Sequence, residues 1–140
     1  MGYPLPAYHF NIRFTGLDGD NGLDKSFVHV SGLKAERSVD SDSRIHYHPL
    51  LLRRGFDSSI ISPLRAWVLK SLAGSDRTSL PQMQIEILDE EHKPVTVFLL
   101  HAITAISWQL GELNADKSEL LMEEILLQYQ SIEVKYGVDG

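Results

Sequence analysis

A cleanly alternating run, Met83-Gln84-Ile85-Glu86-Ile87-Leu88, and a mostly apolar run, Val95-Thr96-Val97-Phe98-Leu99-Leu100, flank the polar segment Asp89–Pro94. Successive side chains of a strand point to opposite faces, so the first run sets Met83, Ile85 and Ile87 against Gln84 and Glu86. Two such runs joined by a short polar turn predict an antiparallel hairpin. A hairpin buries nothing alone and needs more strands or a helix over its apolar face, which restricts the chain to sheet-based folds.

Other segments supply those strands. Tyr8-His9-Phe10-Asn11-Ile12-Arg13-Phe14 alternates in the same way and predicts the first strand. A turn-rich cluster from Gly16 to Gly22 separates it from a second strand, Phe27–Ser31. Ser31-Gly32-Leu33 interrupts the pattern, and glycine there predicts a bulge or tight bend before extension resumes near Lys34–Arg37. Ser38–Ser43 reads as loop, and strand is expected again at Ile45–His48 and Leu50–Arg54, on either side of Pro49. One helix is expected over most of Ile60–Leu72, because Ile61, Leu64, Trp67, Val68 and Leu72 recur at helical spacing. Ser58 or Ser59 is its expected cap, Pro63 suits its first turn, Gly74 stops it, and Trp67 is placed on its buried face. Ala102–Trp108 continues as strand after an irregularity at His101. For the last segment, periodicity alone leaves two readings. Leu121, Ile125 and Gln128 suit a helix; Met122, Glu124, Leu126 and Gln128 suit one face of a strand, and Ile132, Val134 and Tyr136 favour strand at the end.

At 140 residues the chain accommodates one core, so residues 1–140 are expected to form a single domain. No apolar run reaches the roughly 20 residues of a membrane helix, and the first residues lack the charge and hydrophobicity of a cleavable signal. A soluble chain that does not itself insert in a membrane is expected. Cysteine is absent, which removes disulfides, thiol catalysis and cysteine metal sites together. A net charge of −6 argues against a nucleic-acid-reading surface, which needs basic excess. The charge is uneven: residues 1–70 carry nine Lys/Arg against seven Asp/Glu, and residues 71–140 four against twelve. That polarity favours contact between copies if the fold separates the halves in space.

Candidate chemistry is thin. His46-x-His48 on a strand places two imidazoles on one face, a spacing suited to metal ligands, but two ligands do not complete a site. His9, His29, His92 and His101 add no HExxH spacing. Glu90-Glu91 and Glu123-Glu124 are adjacent pairs, so on strands their members face opposite ways and form no acid/base dyad. Arg53-Arg54 is a compact positive feature able to meet an anion, with one of the two facing solvent. Ser58-Ser59 lacks a nucleophile-elbow context, and no phosphate-binding glycine motif occurs. Trp67 and Trp108 read as core anchors. No catalytic, cofactor-binding or metal-binding residue is assigned, and no cofactor is expected.

Taken in order, Tyr3–Ile12, Val30-Ser31-Gly32-Leu33, Leu52-Arg53-Arg54-Gly55 with Trp67 beyond it, Leu88–Val95, Ala102–Trp108, Leu113-Asn114-Ala115 and Ser118–Tyr129 resemble the tail tube family of contractile phages and phage-tail-like contractile injection systems. The resemblance covers nearly the whole chain. It implies a mainly β fold, a two-sheet barrel or sandwich flanked by one helix, and turns the ambiguous last segment into strand. It also implies a structural role without catalysis: homo-hexameric rings that stack into a hollow tube, sheath and baseplate proteins as partners, and cargo or DNA passing through the lumen. Assembly in the cytoplasm into a phage tail or injection particle follows from the same likeness. The haemolysin-coregulated proteins of type VI secretion are similar in architecture.

One departure from the family pattern stands out. Shaft-building members commonly carry a long glycine-rich segment between the Ser-Gly-Leu and Arg-Arg-Gly motifs, whereas the interval Lys34–Leu51 is short here. Two places in a tube are therefore expected for such a chain, the shaft or an initiating ring at the baseplate. The alternative reading is a small-ligand-binding β-barrel, motivated by Tyr8, Phe10 and Phe98 on alternating strands; a metal enzyme using His46 and His48 is third.

Overall fold

The hairpin expected from alternation is the centre of the molecule. In the computed structural model, which describes residues 10–17, 27–37, 39, 44–56, 61–74, 79–111, 113, 115–116 and 120–136, β-strands span Leu80–Leu88 and Pro94–Leu110. Numbered in chain order, the strands are β1 (Phe10–Thr15), β2 (Phe27–Ser31), β3 (Ala35–Arg37), β4 (Ile45–Tyr47), β5 (Leu50–Gly55), β6 (Leu80–Leu88), β7 (Pro94–Leu110), β8 (Met122–Gln128) and β9 (Ser131–Tyr136), with one helix, α1 (Pro63–Leu72). The Asp89 side chain organises the β6–β7 turn by accepting from the backbone N–H of Glu91 at 2.8 Å and of Lys93 at 3.0 Å. The N–H groups of Lys93 and Glu91 hold its carboxyl below the ordinary range.

β7 belongs to two sheets. Its first part pairs with β6 on one side and β9 on the other, giving the order β1-β6-β7-β9, the first sheet. From Thr104 onward it pairs with β8, giving β7-β8-β5-β2, the second sheet. All these pairings are antiparallel. The change of sheet occurs beside Ala102, which adopts φ 56, so the irregularity expected at His101 lies one residue on. Inward residues of the first sheet (Phe14, Met83, Ile85, Leu100, Ile103) meet those of the second (Leu50, Leu52, Ile125, Leu127) and Leu64 and Val68 of α1 in one core. Each fully buried leucine contributes on the order of 2 kcal/mol to holding these layers together. The fold is thus a mainly β, two-sheet sandwich with one helix. The barrel form of the expectation is not reached, because among the described residues no pairing joins β1 or β9 to β2.

Three local features follow closely from sequence. Gly32 adopts φ +93, and a Cβ there would lie 2.1 Å from the Pro49 carbonyl oxygen, so the expected bend after β2 admits no side chain. Beyond it, β3 and β4 form a separate small hairpin that includes the expected extension around Ala35–Arg37. Pro63 opens α1, and Gly74 at φ +79 follows its end.

Other expectations need correction. The α1 cap is Ser62, whose Oγ accepts from the Arg65 N–H; Ser58 and Ser59 lie outside the described residues. Ile61 therefore precedes the helix and is exposed, Leu72 is also exposed, and Trp67 is half-buried against the core. Helical spacing alone gave these three the same weight as Leu64 and Val68, but a helix on a sandwich rim buries only a narrow stripe. The last segment is strand, in two pieces: Gln130 donates its N–H to the His101 carbonyl oxygen, and β8 and β9 join different sheets. Tyr8 and His9 of the expected first strand, most of the loops at 16–22 and 38–43, and Asn114, Ser118 and Glu119 lie outside the described residues.

Candidate functional site

The inward face of the second sheet changes character at one end. β5 places Leu50, Leu52 and Arg54 on that face, and β8 places Leu127, Ile125 and Glu123 opposite them. The apolar stripe thus ends in a buried pair of opposite charges. Arg54 donates from Nε to Glu123 Oε1 at 2.8 Å, and Trp108 donates its indole N–H to Glu123 Oε2 at 2.7 Å. Arg65, on the first turn of α1, donates to Glu123 Oε2 through Nε and to Oε1 through Nη2 at 3.0 Å. Arg54 Nη2 also reaches Ser62 Oγ at 2.9 Å, tying the strand to the helix cap. Phe27 and Phe56 carry the Arg54 and Arg65 guanidinium groups over their rings, at 4.7 and 4.6 Å from the centroids.

This cluster is a clamp. Burial pushes the Glu123 carboxyl up, but hydrogen bonds from Arg65, Trp108 and Arg54 outweigh that and bring it down to about 2. Four donors occupy the two carboxylate oxygens, which fills the acceptor capacity of the group. A carboxylate so paired neither takes up a substrate proton nor coordinates a ligand. What the arrangement does is fasten α1, β5, β7 and β8 at one point.

The sequence candidates fall on both sides of this clamp. Arg54 is consumed by Glu123, while Arg53 lies outside and faces Glu124 at 3.4 Å, as opposite faces of a strand require. Arg53-Arg54 is therefore not an anion site. Trp108 anchors the core edge as expected and adds the hydrogen bond that spacing did not reveal. His48 does not join His46 on a shared strand face: it lies past the end of β4 and pairs with Glu36 at 2.9 Å. Among the described residues no group of three or more metal-ligating side chains occurs. Glu90 and Glu91 are exposed in the β6–β7 turn. Among the described residues, no helix is long and apolar enough to cross a membrane.

The remaining functional features are on the surface. Each sheet ends in backbone paired on one side only among the described residues: β1 and β9 for the first, β2 and the 104–110 part of β7 for the second. Such edges present unpaired N–H and C=O groups able to take another strand. Sequence reading missed the Arg54–Glu123 clamp. Its signal is two doublets of opposite sign, Arg53-Arg54 and Glu123-Glu124, each beside an apolar run, but only the register shows that they face each other.

Comparison with known proteins agrees with this geometry. The family described as T4-like virus tail tube protein gp19 matches residues 6–133. No curated protein shows significant similarity. Among solved structures, a chain of the anti-feeding prophage baseplate, solved with 6-fold symmetry, superposes with TM-score 0.74 at 22% identity, covering 97% of this chain and 98% of that one. A chain of the PVC sheath–tube complex of an extracellular contractile injection system gives TM-score 0.75 at 16% identity, over 96% and 93%. Hcp1 from Salmonella typhimurium gives 0.63 at 11%, over 91% and 85%. At these identities the likeness is one of fold.

Proposed function

Because the chain belongs to the T4-like virus tail tube family, whose members are structural tube proteins and not enzymes, we propose that residues 1–140 act as one tube-building domain of a contractile injection apparatus. Copies associate edge to edge into hexameric rings, and rings stack into the inner tube that a contracting sheath drives forward. The observation that carries this reading is the pair of sandwich sheets with an open edge at each end, in a chain whose family builds tubes. A ring removes such edges by pairing each with the next copy. The likeness to chains from baseplate, sheath–tube and tube-cap assemblies supports sheath and baseplate proteins as partners. Cargo or DNA in the lumen and assembly in the cytoplasm belong to the same proposal. The ligand-binding barrel considered above gains nothing from these comparisons.

The short β3–β4 hairpin favours a ring that starts the tube at the baseplate over a shaft subunit, since three-residue strands leave little surface to reach a neighbouring ring. Negative-stain microscopy and sedimentation of the purified protein, alone and with sheath and baseplate proteins, test both points. Six-fold rings are expected. Rings that remain single support the initiating position, and long self-stacked tubes support the shaft. A strict monomer at high concentration, with partners present, overturns the proposal.

A further inference from the structure

The β3–β4 hairpin stands apart from both sheets. Its strands pair with each other, Ala35 with Tyr47, Glu36 with His46 and Arg37 with Ile45, and among the described residues with no strand of the sandwich. Five of these six residues are exposed, and Ile45, the largest aliphatic one, remains 50% exposed. The hairpin therefore gains little from burial along its length. Besides the three pairs, His48 donates its N–H to the Lys34 carbonyl oxygen at 3.0 Å and makes a surface contact with Glu36. That is too little to keep an isolated two-stranded hairpin folded in water. Its order has to come from the body.

The body holds it at one place. Both connections to the sandwich pass through a single neck, where Gly32 lies against the Pro49 carbonyl oxygen and Leu33 packs, partly buried, on the core. Just beyond the neck, Tyr47 is the one half-buried residue of the two strands, and its ring centroid lies 5.5 Å from that of Tyr129, with the rings tilted by 53°. Gln128 donates a side-chain N–H to the Tyr47 carbonyl oxygen at 2.9 Å, and the Tyr129 hydroxyl donates to the Gly32 carbonyl oxygen at 3.5 Å. These three contacts come from two consecutive residues at the end of β8. Tyr129 is itself part of the core and 2% exposed, so the hairpin rests on a fixed point. Contacts gathered at one point open as a unit, and a segment with few buried apolar contacts opens well below the free energy of global unfolding.

We propose that the β3–β4 hairpin is a latched arm, ordered only while Tyr47 sits on Tyr129 and Gln128 holds its carbonyl, and that opening this latch releases both strands in one step while the sandwich stays folded. Latched, the arm closes the Tyr129 end of the core; released, it uncovers it. The latch is built within one chain, so it works in the unassembled protein. Hydrogen–deuterium exchange of the intact, unassembled chain, read by peptide mass spectrometry, tests this. Tyr47→Ala removes the ring and should speed exchange in peptides covering Ala35–Arg37 and Ile45–Tyr47 by about tenfold or more, the effect of losing an aromatic pair of ordinary strength. Gln128→Ala should speed the same peptides by a smaller factor. Tyr47→Phe keeps the ring and should exchange like the wild type. Peptides of β6 and β7 should keep their protection in every variant. Arm peptides that exchange at the wild-type rate in both alanine variants overturn the proposal, as do β6 and β7 peptides that accelerate as much as the arm in both. A Tyr47→Phe variant that exchanges like Tyr47→Ala overturns it as well.

Discussion

Arg53 and Arg54 are neighbours on β5, Glu124 and Glu123 are neighbours on β8, and each arginine faces its glutamate across the same two strands. The residue types and strands are identical, and only the face differs. Arg54 and Glu123 are 6% and 0% exposed, and three further donors, two from Arg65 of α1 and one from Trp108 of β7, complete the carboxylate; Arg53 and Glu124 are 45% and 35% exposed and meet at 3.4 Å. Water screens the outer pair and shares its hydrogen bonds, so little depends on it. The inner pair has no water to fall back on, so each of its members is obligatory once the others are present.

Removing Glu123 tests this contrast most severely. Glu123→Ala leaves two guanidinium groups near the core without their carboxylate and should cost about 3–5 kcal/mol in urea unfolding. Acid should then separate the pairs by pH. The Glu123 carboxyl is depressed from 4.5 to about 2, so its contribution is complete above about 4.5 and is lost as pH falls toward 2. That contribution is about 3 kcal/mol, and a Glu123→Gln variant should lose the corresponding slope in stability between those limits. Trp108→Phe keeps the ring but deletes one donor to a charged acceptor, for about 1.5–3 kcal/mol. Glu124→Ala should change stability by at most about 1 kcal/mol, less at high salt. Equal losses from Glu123→Ala and Glu124→Ala would show that burial does not set the difference.

The sandwich itself was readable from alternation. Phe10–Phe14 and Met83–Leu88 show period two because one face of each is core and the other is not, Val95–Leu100 is mostly apolar because Val97 and Leu99 are buried as well as Leu100, and Gly32 marked its bend because no other residue fits beside Pro49. Less legible was anything that depends on which strand lies beside which. The exit of β7 from one sheet into the other, the bulges at Val28 and Ile106, and the meeting of Arg54 with Glu123 are properties of register, and register joins residues tens of positions apart. Ile61 misled for a related reason: helical spacing counts apolar residues but does not know where the cap falls. The absence of a catalytic constellation, by contrast, was a sequence-level statement, and the family match supports the structural role it implied.

β7 runs for 17 residues, roughly 55 Å at the usual rise of an extended strand. Both sheets hang on it, one along each part, and the run from β8 into β9, broken at Tyr129-Gln130, crosses between them beside it. Tension applied across the subunit is therefore carried from one sheet to the other along a covalent backbone, where two separate sheets would have to rely on side chains sliding past one another. A tube thrust through an envelope loads its wall in shear. In this chain the wall has a continuous rib, and Ala102 marks the point where that rib passes from one layer to the other.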